Sequence, residues 1–276
     1  MIFQSKLNIV EGMSISENVT EVTKIIRNEC LKRLEQTEVR TSDEINHFFK
    51  QTEFDVAVNG QIPNINNLYI KLFCYCINDE NEYKRYELTL DIHSYVDFET
   101  KTIVLKLVTI NGVPSEGFDS TIQHEVNHIF QFANGWRSYN HLYGCAKKIL
   151  DGENIPLEDQ LLAMIIYTQD KGEQDSLVNG YYAYLKQNNI DWESVYYHFP
   201  NDKNNPYGLF LTFCSYFNQI QYTDEHIREV LGITKKQFLR VIDKATKRMR
   251  NKTMKVAAKY SNNIINPKAQ IKTHNV

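Results

Sequence analysis

The sequence lacks the features that most quickly assign a chain to a secreted, disulfide-rich or membrane class. Its five cysteines are an odd number and form no CxxC pair, so we expect reduced thiols in an intracellular protein. The opening residues, MIFQSKLNIVEGM, show no basic stretch followed by an apolar run, and no signal peptide is predicted. The longest apolar run, residues 161–167, is far short of the roughly 20 residues that span a bilayer. No membrane partner is therefore predicted.

Net charge is also small, although charge is unevenly distributed along the chain. The 276 residues carry a net charge of −3, which identifies no class of partner, and 42% apolar residues argue against intrinsic disorder. From Lys235 onward there are twelve Lys and Arg residues against one acid, Asp243, whereas the rest of the chain has 19 basic and 33 acidic residues. This asymmetry predicts that residues 223–260 contact an anionic partner, a nucleic acid or the acidic body of the protein itself.

Hydrophobic periodicity divides the chain into a mixed first part and a helical second part. The helical pattern first covers 20–37, with a second short helix over 43–50, and strands are predicted over 68–76, 86–92 and 102–110. The remaining pattern predicts helices over 120–134, 140–151, 157–169, 173–188, 206–220 and 224–251. Residues 207–219 are apolar nearly all round, which predicts a buried core helix. A sheet followed by a helix-rich half is an α+β arrangement.

The predicted helix over 120–134 has recognisable ends. Ser120 is expected to be its N-cap, with Gln123 three residues later completing a capping box. Asn134 and Gly135 supply a left-handed stop at its C-terminus.

This helix carries the most informative motif of the sequence, an HExxH pattern. His124 and His128 lie one turn apart on the face opposite an apolar stripe, with Glu125 beside them. Imidazoles at i and i+4 can bind one metal ion, and the flanking carboxylate can act as general base on a metal-bound water. The alternative is that these residues simply form a polar helix face.

At the level of motifs, residues 65–190 resemble the zincin metallopeptidases, whose active-site helix bears HExxH. The metzincin branch requires HExxHxxGxxH, and the sequence departs from that pattern because Gln131 and Asn134 replace its glycine and third histidine. The gluzincin branch takes its third zinc ligand from a later helix with the pattern E-x-x-small. Glu173 and Ser176 match this pattern. The resemblance implies a zinc site of His124, His128 and Glu173.

Two assignments within this resemblance stay open. Asp175 and His141 are alternatives for the third ligand, and Glu173 could instead serve only to favour its own helix N-terminus. Gluzincins also use a Tyr or His to stabilise the developing oxyanion, and by position the candidates are Tyr181, Tyr182 and His198.

Residues 223–242 resemble a helix-turn-helix of the sigma-factor kind. Gly232 lies at the turn, and Lys235, Lys236 and Arg240 open the second helix. Core positions are expected for Ile227, Leu231, Ile233 and Phe238. Arg228 departs from the pattern, because a small residue there normally lets the two helices pack closely. A plain helical hairpin that packs its basic face on the acidic body is the alternative.

Together these patterns predict a zincin-like α+β domain, 1–222, in which a small mixed sheet is followed by the active-site helix and a helical C-terminal lobe. A basic helical segment, 223–276, follows it. The predicted function is zinc-dependent hydrolysis of peptide bonds in a peptide or protein substrate, with Glu125 as general base. The alternatives are a binding or structural protein on the same scaffold and a DNA-binding regulator. A composition rich in Asn, Lys, Ile and Tyr is typical of AT-rich bacterial or phage genomes, so we expect a cytoplasmic or virion-associated protein.

Overall fold

The structure is a computed structural model that describes residues 17–42, 47–78, 94–135, 141–150, 152, 155–191 and 205–265. Within these residues the chain forms six strands and eight helices. Contacts divide the chain into two compact units, Met1–Trp136 and Arg137–Val276. The first unit holds the sheet and two helices, and the second holds six helices. The α+β class is therefore confirmed, whereas the domain division at 222/223 stays a prediction.

The first unit is built on a mixed six-stranded sheet. Its strand order is β1-β2-β3-β5-β4, with β6 pairing β5. Strands β3 and β5 are parallel, and every other pairing is antiparallel. In chain order its elements are α1 (Glu17–Gln36), β1 (Arg40–Ser42), β2 (His47–Ile62), β3 (Ile65–Ile77), β4 (Tyr95–Asp97), β5 (Thr102–Ile110), β6 (Val113–Pro114) and α2 (Phe118–Ala133).

The core of this unit lies between the sheet and the helices α1 and α2. Alternate residues of β2 and β3 point into it, among them Phe54 and Ile70, while β5 is buried along nearly all its length, as its apolar sequence predicts. Helix α2 contributes a stripe of Ile122, Val126 and Ile129, each fully buried. Burial of such side chains stabilises the fold by about 1.5–3 kcal/mol each. This stripe fixes which side of α2 is left for its polar residues.

Two predicted elements of this unit, a helix over 43–50 and a strand over 86–92, are not found in the described residues. The short helix predicted over 43–50 is wrong, because residues 47–50 begin the long strand β2 and residues 43–46 are not described. Strand β2 was not predicted, although Phe54, Val56 and Val58 alternate with outward-facing residues and are buried. Its antiparallel pairing with β3 overrides the weak local helical pattern. The strand predicted over 86–92 lies outside the described residues.

The ends of α2 also differ from the prediction. The helix begins at Phe118, its N-cap is Gly117, and no side chain caps it. The capping box of Ser120 and Gln123 is therefore wrong: the Ser120 hydroxyl donates to the carbonyl of Gly117 at 2.9 Å. Phe118 is 1% exposed, and its anchoring in the core extends the helix by two residues. The C-terminal stop is confirmed, because Gly135 has φ +77°.

The second unit contains six described helices. They are α3 (His141–Leu150), α4 (Leu157–Gln169), α5 (Lys171–Gln187), α6 (Pro206–Gln219), α7 (Asp224–Leu231) and α8 (Lys235–Ile265). Helix α8 packs against α4, α5 and α6, and α7 packs against α3 and α8. The helix predicted over 224–251 is thus two helices, separated at Gly232 where φ is +71°.

Helix α6 is less buried than its apolar sequence predicts. Only Pro206, Gly208, Phe210 and Phe217 are buried, and Tyr216 is 52% exposed. The prediction of a helix buried all round is wrong, because α6 packs one face on its neighbours and leaves the rest at the surface. None of the helices in the described part of the chain is long and apolar enough to cross a membrane.

Candidate metal centre

The two histidines of α2 lie side by side on its polar face. Their Nε2 atoms are 3.1 Å apart, and the rings meet edge to face with centroids 4.8 Å apart. Two nitrogens at ~2.0–2.1 Å from a tetrahedral zinc ion are separated by about 3.3 Å. The observed separation of the nitrogens therefore fits two ligands of one ion without a change of rotamer. His128 is buried, and His124 is partly exposed.

Gln131, one turn after His128, fixes the orientation of that imidazole. Its Oε1 lies 3.0 Å from Nδ1 of His128. An amide oxygen only accepts, so with this amide orientation Nδ1 is the donor, and a neutral His128 with that tautomer presents a lone pair at Nε2. This is the tautomer that binds metal, held by an outer hydrogen bond of the kind that usually supports a ligand histidine. The i+3 spacing of Gln131 from His128 is a local signal for this contact, besides the departure of Gln131 from the metzincin pattern.

Glu125 and its polar neighbours on α2 are buried instead of solvated. Glu125 is 5% exposed, Gln123 2% and Asn127 8%. Charged side chains are rarely buried unless they are paired or hydrogen-bonded, and a simple polar surface would leave them in water. This burial favours a built site over the alternative of a polar helix face.

Glu173 lies in the first turn of α5. The side chain of Asp170 caps this helix by accepting from the backbone N–H of Gly172 at 2.7 Å. Glu173 is 2% exposed, and its Oε1 accepts a hydrogen bond from the hydroxyl of Tyr143 at 3.0 Å. A carboxylate is favourable at a helix N-terminus, but that role needs no burial. Burial with a dedicated donor is what a ligand carboxylate requires.

Tyr143 is a site residue that the sequence analysis missed. It lies on α3, where its ring stacks on Tyr167 of α4 with centroids 5.2 Å apart. Burial and the nearby negative charge of Glu173 raise the pKa of Tyr143, so the phenol stays protonated and donates. The contact with Glu173 spans 30 residues of sequence, and no local pattern could have indicated it.

His124, His128 and Glu173 form a group that could hold a metal ion. One ligand atom from each lies within 4.8 Å of the others, and the described residues contain no second such group of His, Cys, Asp or Glu. Two imidazole nitrogens and one carboxylate oxygen leave a fourth position of a tetrahedral ion open. The donor set thus fits a divalent transition metal, with zinc as one member of that class.

The other candidate residues are the alternative third ligands and the predicted oxyanion stabilisers. Asp175 lies about 200° around α5 from Glu173 and forms an ion pair with Lys252 at 2.5 Å, which disfavours it as a ligand. Tyr182 lies about 180° from Glu173, and its ring packs edge-on against Tyr260. Tyr181 is buried and stacks on Tyr184. His198 and the side chain of His141 lie outside the described residues. The oxyanion role of Tyr181, Tyr182 or His198 stays a prediction.

Comparison with known proteins identifies no relative of this chain. No protein-family model matches it, and no curated protein or solved structure is significantly similar to it.

Proposed function

We propose that the protein is a zinc-dependent metallopeptidase of the gluzincin kind, with His124, His128 and Glu173 as zinc ligands and Glu125 as general base. The observation that carries the proposal is the convergence of two imidazoles and one carboxylate within 4.8 Å. Three protein ligands with an open fourth position are typical of catalytic zinc, whereas structural zinc sites are closed by four protein ligands.

The donor chemistry supports zinc in particular. Neutral imidazole nitrogens suit zinc, and the His₂Glu set is one of the established sets of catalytic zinc ligands. Gln131 supports the proposal by holding His128 in the ligand tautomer, and Tyr143 supports it by fixing one oxygen of Glu173. Both contacts orient a ligand through its second polar atom, which is the usual arrangement around a metal.

Zinc held by these residues would lower the pKa of a bound water towards about 7 and polarise the scissile carbonyl. The carboxylate of Glu125 accepts a proton from the attacking water, whose oxygen bonds to the carbonyl carbon. As the C–N bond breaks, Glu125 delivers that proton to the leaving amine nitrogen. Glu125 is buried beside the two histidines on the same helix, where the carboxylate is shielded from bulk water.

The decisive experiment combines metal analysis and peptide cleavage by the full chain. We expect about one zinc per chain by mass spectrometry, cleavage of a labelled casein or a peptide library, and loss of cleavage with a chelator. Because general-base catalysis contributes roughly 10²–10⁴-fold, Glu125→Gln should lower turnover by about that factor while keeping zinc. Glu21→Gln, an exposed change on α1, is the matched control.

The outcomes separate the proposal from its alternatives. Zinc binding without cleavage of any tested substrate, or with cleavage that Glu125→Gln leaves intact, contradicts the catalytic role and favours a structural metal on a binding protein. Absence of stoichiometric metal from protein refolded with zinc contradicts the metal site itself.

A further inference from the structure

The outer face of α8 carries a row of cations. They recur at intervals of three to five residues, which places them on one side of a helix of 3.6 residues per turn. From the first to the last, at 1.5 Å rise per residue, the row extends for about 28 Å. Its members, called here the basic row, are Lys236, Arg240, Lys244, Lys247, Arg250 and Lys255, and all six are exposed.

The fold does not use most of the basic row. Lys247 pairs with Asp243 at 2.8 Å, and Asp243 is the one acid of α8. Within the part of the chain that the structure describes, the side chains of the other five make no hydrogen bond or ion pair. The two remaining cations at the middle of α8 differ: Arg248 donates to Gln174 at 2.5 Å, and Lys252 pairs with Asp175 at 2.5 Å. Helix α8 thus separates cations that hold the unit together from cations that face outward.

The N-terminal end of the basic row is held rigidly in a helix-turn-helix. Thr234 and Gln237 form a reciprocal capping box at the start of α8, and Gly232 turns the chain in a left-handed conformation. The predicted core positions Ile227, Leu231 and Phe238 are all buried, while Ile233 is only partly buried.

Two side chains of this turn behave differently from the sequence expectation. The bulky Arg228 points outward and pairs with Asp224 at 2.7 Å, so it does not obstruct the packing of the two helices. Lys235 donates to the carbonyl of Tyr222 at 2.7 Å, and this cation is used by the turn itself.

An open groove of about 940 Å³ lies beside the turn. The row cations Lys236, Arg240 and Lys244 line it together with Lys235, Leu239 and the acids Asp224 and Asp243. The first turns of the second helix are where a helix-turn-helix contacts DNA.

The distribution of apolar residues on α8 distinguishes two possible anionic partners, a lipid surface and a nucleic acid. Helices that bind a lipid surface insert an apolar face beneath their basic one. Phe238, Met249 and Val256 of α8 are instead buried in its own unit, whereas Leu239 and Met254 are each 44% exposed. Two exposed apolar side chains 15 residues apart do not form the continuous apolar face that a lipid-binding helix inserts, so charge dominates the outer face of α8. A regular array of phosphates, one per 3.4 Å on each strand of a duplex, matches a straight row of cations.

We propose that the basic row binds the phosphate backbone of duplex DNA, largely without regard to sequence. Neutralised phosphates release counterions, and the slope of log affinity against log salt is about −0.9 per phosphate. Five unpaired cations then predict a slope of about −4.5, which is a loss of about 500-fold in affinity between 50 and 200 mM salt.

The test is fluorescence anisotropy of a labelled 24-base-pair duplex titrated with the full chain at several salt concentrations. The triple variant Lys236→Glu, Arg240→Glu and Lys244→Glu should weaken binding strongly and reduce the slope to about −1.8, because three contacts are lost. The matched control reverses the same amount of charge at the exposed helical lysines Lys24, Lys32 and Lys147 and should bind like the parent. A triple Gln variant at the three row positions repeats the test if charge reversal impairs folding.

Three outcomes overturn the proposal. The first is no binding at 50 mM salt. The second is equal weakening by the row variant and the control, which would indicate a general charge effect. The third is binding to vesicles containing phosphatidylserine with no binding to the duplex, which would assign the row to lipid headgroups. None of these measurements depends on zinc or on peptide cleavage, so the DNA proposal and the peptidase proposal fail independently.

Discussion

Helices α2 and α8 both carry many polar side chains, but they use them in opposite ways. On α2, Gln123, Glu125, Asn127 and His128 are buried, each 8% exposed or less. On α8, the basic row is exposed, and within the described residues the side chains of five of its six members make no hydrogen bond or ion pair. Burying a polar group costs about 1–3 kcal/mol unless it is hydrogen-bonded, so the polar set of α2 needs partners that fix its geometry.

This difference indicates two kinds of function. A buried, oriented set such as that of α2 can hold a reactive group away from bulk water. An exposed row such as that of α8 keeps its full hydration until a partner arrives and adds little to stability. Substitutions on α2 should therefore alter the site, whereas substitutions on the outer face of α8 should alter binding alone.

The largest expected effect tests α2 directly. Replacing His124 and His128 together by Ala removes two of the three proposed ligands, and we expect stoichiometric zinc to disappear from the protein. Metal content is measured by mass spectrometry after equilibration with zinc. The control is His226→Ala, which removes a histidine that pairs with Asp159 at 2.8 Å and is not a member of the group of three. Full zinc occupancy in the double variant would assign the metal to other residues.

The next largest effect distinguishes two neighbouring acids on α5. Glu173→Ala should weaken zinc affinity by more than the roughly 100-fold expected for an outer-shell residue. Asp175→Ala should leave zinc affinity unchanged but lower the free energy of unfolding by about 3 kcal/mol, because Lys252 stays buried without its partner. Competition with a chromophoric chelator and urea unfolding measure the two effects. The reverse assignment of effects would make Asp175 the ligand.

The loss of stability in Asp175→Ala should also depend on pH. Burial is the main cause of the lowered pKa of Lys252. The unfolded chain, with lysine near its ordinary pKa of about 10.4, therefore binds the proton more tightly than the folded chain. Asp175 raises the pKa of folded Lys252, so its removal lowers that pKa further. Stability rises with pH where the unfolded state binds more protons, and this rise is therefore larger in Asp175→Ala, whose deficit should shrink as pH approaches about 10. A deficit that grows over this range would contradict a buried, charge-costly Lys252.

How far the sequence predicts these features depends on whether the signal is local. The i, i+4 spacing of His124 and His128 predicts their approach, because helix geometry alone brings them together. Glu173 was predicted through a family pattern that includes Ser176, not through any property of residue spacing. Tyr143 escaped prediction, because its contact with Glu173 depends on how α3, α4 and α5 pack.

The errors in the fold have the same origin. Strand β2 shows local alternation at Phe54, Val56 and Val58, but its extent is set by pairing with β3. The start of α2 was misplaced, because burial of Phe118 outweighs the capping preference of Ser120. The apolar sequence of α6 indicates a core helix, yet the neighbours in its unit cover only one face.

A smaller effect is expected from the residues that orient the ligands. Gln131→Ala and Tyr143→Phe each remove one outer hydrogen bond, and each should lower zinc affinity by about 10–100-fold while zinc still binds. Gln36→Ala and Tyr95→Phe are matched controls at exposed positions of the first unit. Chelator competition provides the measurement. Affinities equal to those of the parent would mean that these contacts serve packing and not the metal.

The smallest expected effect concerns the outer face of α8. Lys244→Ala with Arg250→Ala should change the free energy of unfolding by less than about 0.5 kcal/mol, because exposed residues without partners contribute little. Phe238→Ala, on the inner face of the same helix, should cost about 3–5 kcal/mol, since it leaves a cavity where a fully buried ring packs. Urea unfolding at constant salt measures both.

The comparison of α2 with α8 depends on this contrast between the two faces. If the outer double variant is destabilised by more than about 1 kcal/mol, the basic row is held by the protein's own acidic residues, as the helical-hairpin interpretation of the sequence proposed. In that case added salt should lower the stability of the parent but not of the variant, because screening weakens only an attraction that is still present. If stability is unchanged while DNA affinity falls, the row serves an external polyanion, and α8 stabilises its unit through its inner face alone.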